Sequence, residues 1–65
     1  DYANAYKVVS ALLQVGEGSI LLYFGELLLE ATAEGNIVYL EEYATKKEIA
    51  QITKADEIEI LLNGN

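Results

Sequence analysis

Sixty-five residues support a single domain spanning 1–65, and eleven acidic side chains against four lysines give it a formal charge of −7. The chain has no cysteine, which excludes disulfides, thiolate zinc sites and thiol nucleophiles. It has no histidine, the commonest general base and transition-metal ligand. With arginine also absent, the charge argues against nucleic-acid binding, whose affinity comes from neutralising phosphates with basic side chains.

Leucine, isoleucine and valine supply 20 of the 65 residues, so a globular core is expected despite the charge. A domain this short buries only about 60% of the surface its unfolded chain exposes. Without a disulfide or a metal, it calls for a dense core or for self-association. The most apolar run, Ser19 to Leu29, is interrupted by Glu26 and followed by Glu30. A membrane span needs about 20 predominantly apolar residues, so none is expected. The chain opens on Asp1, as a processed, trimmed or cleaved form would.

Residues 2–15 predict a helix. Asn4, Lys7, Ser10 and Gln14 fall on one side of the helical wheel, while Tyr2, Ala5, Tyr6, Val9, Leu12 and Leu13 cover the rest. That apolar face is wider than one small sheet is expected to cover. Gly16-Glu17-Gly18 supplies the left-handed stop past a helix C-terminus. Its two glycines open no dinucleotide fingerprint, because residue 21 is leucine and a helix precedes them.

Residues 19–34 carry two competing signals. Ile20 to Phe24 is an unbroken β-branched, leucine and aromatic run, the pattern of a strand apolar on both faces. Glu26 to Glu34 contains good helix formers, with Glu26, Glu30 and Glu34 one helical turn apart. Gly35-Asn36 fits both a type II′ hairpin turn and a helix stop. A tight hairpin there would set Glu30 opposite Glu41, which counts against that register. Gly25 reads as a bulge in one long strand or as a break between strand and helix, and the strand-rich reading is favoured.

Residues 37–43 predict a strand. Thr45-Lys46-Lys47-Glu48 matches a capping box opening a short helix over 46–53, and Glu57 to Leu61 alternates as a half-exposed strand would. The expected fold is α+β, in the order α-β-β-α-β, with a mostly antiparallel sheet packed on the N-terminal helix. The alternative is a mostly α fold with 19–34 helical.

Little of the sequence points to chemistry. A serine or threonine nucleophile would need a lysine or carboxylate base, and Lys46, Lys47 and Lys54 read as solvated surface. Glu41-Glu42, Asp56/Glu57/Glu59 and Glu26/Glu30/Glu34 lack the spacing of a calcium loop and read the same way. No enzyme activity and no catalytic, cofactor or metal residue is expected.

The tyrosines are more suggestive, because tyrosine joins a large apolar area to a polar tip and is enriched at interfaces. The expected interface set is Tyr2, Tyr6, Val9 and Leu13 on the helix, Leu22, Phe24 and Leu28 in the apolar run, and Tyr39 and Tyr43 on one strand face. The function expected is a non-enzymatic structural or interaction module acting through self-association, as a homo-oligomer or a filament or coat subunit. The alternative is a small acidic regulator or decoy for a basic protein partner, with glutamates rising about 6 Å per helical turn.

Overall fold

Two glycine turns decide how the ambiguous middle of the chain folds. The computed structural model describes residues 2–58 and 61, and of Tyr2 the backbone alone. Its elements are helix α1 (Tyr2–Val15) and strands β1 (Glu17–Phe24), β2 (Leu27–Glu34), β3 (Ile37–Glu42) and β4 (Glu48–Ile52). The strands form one antiparallel meander in the order β1-β2-β3-β4, so the domain is α+β with the order α-β-β-β-β. Gly25 (φ +62°) and Gly35 (φ +63°) each hold the first position of a two-residue loop, closing Phe24 on Leu27 and Glu34 on Ile37. A positive φ at that position followed by a negative one is the type II′ geometry that matches strand twist.

With both ends of 27–34 fixed by hairpins, the helix-forming side chains of β2 are overridden by tertiary context. Leu29, Ala31 and Ala33 turn inward and are buried, while Leu28, Glu30 and Thr32 alternate outward. The like-charged pair Glu30 and Glu41 does stand face to face. Lys46 Nζ lies 3.6 Å from Glu30 Oε1, which offsets the repulsion.

Three elements differ from the sequence expectation. The expected order allots one strand to 19–34, but Gly25 turns the chain and splits that run into β1 and β2, which pair with each other. Residues 46–53 form no helix; they hold strand β4, which pairs Val38 with Ile52 and Leu40 with Ala50. Ala50 and Ile52 thereby reach the core, which local helix propensity alone would not secure. Thr45 caps a hairpin loop instead of a helix. Its Oγ1 accepts the Lys47 N–H at 3.2 Å and donates to Glu42 Oε1 at 3.4 Å. The loop closes through Glu42 N–H to Lys47 O (2.9 Å) and Lys46 N–H to Glu42 O (2.8 Å), with Lys46 left-handed at φ +63°.

The third difference is 57–61, expected as a strand. Glu57 and Ile58 instead enter a helical turn, donating to the carbonyls of Lys54 (3.0 Å) and Ala55 (3.3 Å). Ile58 is fully buried, so this turn closes one end of the core; Glu59 and Ile60 lie outside the described residues.

The core lies between α1 and one face of the sheet. Ala5 and Val9 meet Ala31, Ala33, Val38, Leu40, Ala50 and Ile52, with Leu12, Leu13, Leu22 and Phe24 partly buried around them. α1 packs on β1, β2 and β3, and small alanines on both sides let it sit close. Gly16 (φ +81°) joins helix to sheet: its N–H closes on Leu12 O at 2.8 Å and its carbonyl accepts the Gly35 N–H at 2.9 Å. A Cβ there would lie 3.4 Å from the Gly35 oxygen.

Candidate self-association surface

The bond from Gly35 N–H to the Gly16 carbonyl makes these two a hydrogen-bonded pair at the mouth of the β1–β2 ladder. Antiparallel ladders alternate bonded and non-bonded pairs. Gly18, Ile20, Leu22 and Phe24 therefore bond to β2, opposite Ala33, Ala31, Leu29 and Leu27. Glu17, Ser19, Leu21 and Tyr23 turn their N–H and C=O groups the other way. β1 is an end strand, and among the described residues no strand pairs with that outer edge.

Natural edges are usually blunted by proline, lysine or a bulge. The eight residues of β1 contain no proline and no lysine, and Glu17 is their one charge. Leu21 is 47% and Tyr23 68% exposed, both on the sheet face away from α1. On the other face Ile20 lines an open groove of about 290 Å³ with Lys7, Val8, Ala11, Leu12 and Val15 of α1. Val15 is 67% exposed. The outer flank of the helix thus lines an apolar groove beside β1, the end strand of the sheet.

The open face of the sheet continues the surface. Tyr23 stands opposite Leu28, and the Leu28 carbonyl accepts the Tyr43 N–H at 2.9 Å, which sets these three side by side. Lys46 Nζ caps the Tyr43 ring at 4.4 Å from its centroid. Beyond them Glu30, Glu41 and Glu48 form an acidic row across β2, β3 and β4.

The residues expected at an interface divide between these environments. Tyr39 and Tyr43 share the open face, as their spacing along one strand implied, and Leu28 lies on that face with them. Tyr6 is exposed on α1. Val9 is fully buried in the protein's own core and is unavailable to a partner, because α1 turns it onto the sheet. Leu13, Leu22 and Phe24 are half-buried against the same core. The Tyr2 side chain lies outside the described residues.

Sequence reasoning missed Leu21, Tyr23, Val15 and Ile20. The signal for them was present in the run apolar on both faces; what it lacked was the strand's position at the sheet edge.

Among the described residues no helix is long and apolar enough to cross a membrane, and no cluster of three or more acidic side chains is placed to hold a metal ion. Comparison with protein-family models, curated proteins and solved structures finds no match to this chain.

Proposed function

We propose that this domain is a non-enzymatic interaction module that works by associating with further copies of itself. The observation that carries this reading is β1, a strand of eight residues, apolar on both faces, with its outer edge unpaired among the described residues. Exposed edges of this kind template strand addition. The charge of −7 opposes association at long range and is screened by salt within about 10 Å at 0.1 M. Association is therefore weakest in dilute, low-salt solution. Light scattering over about a hundredfold dilution, at low and moderate salt, tests the reading. The mass should rise above 7.1 kDa with concentration, and rise further with salt. A mass fixed at 7.1 kDa under every condition would end it.

A second reading, an acidic surface for a basic partner, draws on the row of Glu30, Glu41 and Glu48. Its expected form, glutamates at helical pitch along 26–34, is not made, since that segment is strand. A lysine-rich peptide that binds at low salt and is released at moderate salt would favour it.

A further inference from the structure

Resting on that reading, we propose that two copies pair β1 against β1 about a two-fold axis through Leu21. The pairing makes one continuous sheet, and both α1 helices lie side by side on the same face.

Hydrogen-bond parity sets the geometry. Only Glu17, Ser19, Leu21 and Tyr23 present outward N–H and C=O groups, so the bonds to a partner β1 are drawn from this set on both sides. Residues directly opposite in an antiparallel pair share a face, so the odd-numbered side chains of both copies lie on one side. The even-numbered ones, with both helices, lie on the other. Antiparallel pairing of one strand with itself is also the self-complementary contact that closes a two-fold dimer.

The axis at Leu21 follows from the side chains. It sets Leu21 against Leu21 of the second copy, Ile20 against Leu22 and Ser19 against Tyr23, and it leaves Glu17 outside the paired stretch. A shift of one bonded pair toward the N-terminus would instead set Glu17 against an aromatic ring. The two negative molecules thus meet along an edge whose one charge is Glu17 and a groove whose one charge is Lys7. Above the joined strands the apolar flanks of the two helices, Val8, Ala11 and Val15, close the groove against each other.

The size of the contact fits a second copy that dissociates on dilution. At about 3.4 Å per residue the edge is about 27 Å long. The molecule is 16 Å through its thinnest direction, so the face measures about 400 Å² in outline, or about 800 Å² for a pair. That lies below the roughly 1,200 Å² of permanent specific interfaces and within the range of transient ones.

Single cysteines test the register cleanly, since the chain has none of its own. Ser19→Cys, Leu21→Cys, Tyr23→Cys and, as a control on β2, Thr32→Cys would each be treated with a short bis-maleimide at a concentration where light scattering shows association. The geometry predicts rapid covalent dimer at Leu21→Cys and little at the other three. Preferential cross-linking at Ser19 or Tyr23 overturns the axis, and cross-linking at Thr32 overturns edge pairing.

Two further variants, checked for retained fold by circular dichroism, complete the test. Leu21→Lys should abolish the dimer, and Val15→Glu should weaken it at least tenfold. Wild-type-like association of Leu21→Lys overturns the edge contact while leaving self-association through another surface. An unaffected Val15→Glu overturns the helix layer. Wild-type protein that never associates removes the reading on which the pairing rests.

Discussion

Leu28 and Leu29 are neighbours in sequence on opposite faces of β2, so one pair of substitutions tests the register of the whole sheet. Leu29 is fully buried against the α1 side; Leu28 is half-buried on the open face. Truncating a buried leucine to alanine costs about 3–5 kcal/mol, because a cavity adds to the lost transfer energy. A domain of this length has a total stability of about 3–10 kcal/mol, so Leu29→Ala should remove a third or more of it. At about 4–8 °C per kcal/mol for a small domain, the melting point should fall by at least 12 °C or so, and the variant could be largely unfolded at body temperature. Leu28→Ala removes only half-covered surface, so about 1 kcal/mol is expected. Urea denaturation followed by far-ultraviolet circular dichroism, at low micromolar concentration to keep the protein monomeric, would give both values. A one-residue slip exchanges the faces of every side chain in a strand. Equal losses, or a larger loss at Leu28, would refute the placement of β2 and with it the parity that defines the free edge.

Other substitutions probe the joints and turns. Gly16→Ala forces a side chain into φ +81° beside the Gly35 carbonyl and should cost about 1–2 kcal/mol, read as a melting point lower by about 5–15 °C. Thr45→Ala loses an exposed hydrogen bond to the Lys47 amide, for about 0.5 kcal/mol by denaturation. A loss near 2 kcal/mol would mean a buried capping role that the loop does not have. Lys46→Ala removes the partner of Glu30 and the cation over Tyr43, both at a solvent-exposed lysine, and should cost under about 1 kcal/mol. The loss should shrink as salt is added to the melts.

Much of this fold was legible where periodicity and turn chemistry agreed. The polar residues Asn4, Lys7, Ser10 and Gln14 marked the outside of α1, and Gly35-Asn36 fitted a hairpin turn, though it fitted a helix stop as well. Residues 27–34 were ambiguous because leucine, glutamate and alanine favour helix locally, while the turns on either side impose a strand. Thr45 to Glu48 misled for a related reason. A threonine oxygen accepting a nearby amide serves a helix cap and a hairpin loop alike, and the pairing of Val38 with Ile52 that selects the hairpin is non-local. At the candidate surface, the shared face of Tyr39 and Tyr43 could be read from alternation. The edge position of β1 could not, because strand order is a property of the assembled sheet.

Three backbone amides on the β1 edge carry the proposed contact, and amide hydrogen exchange by nuclear magnetic resonance at two protein concentrations addresses them directly. In dilute solution the amides of Ser19, Leu21 and Tyr23 should exchange freely, while those of Ile20 and Leu22, bonded to β2, are protected. At a concentration where the mass exceeds 7.1 kDa, Ser19, Leu21 and Tyr23 should gain protection, with Ile20 and Leu22 little changed. If these outward amides still exchange freely in the associated state, the β1 edge is not where copies of this domain meet.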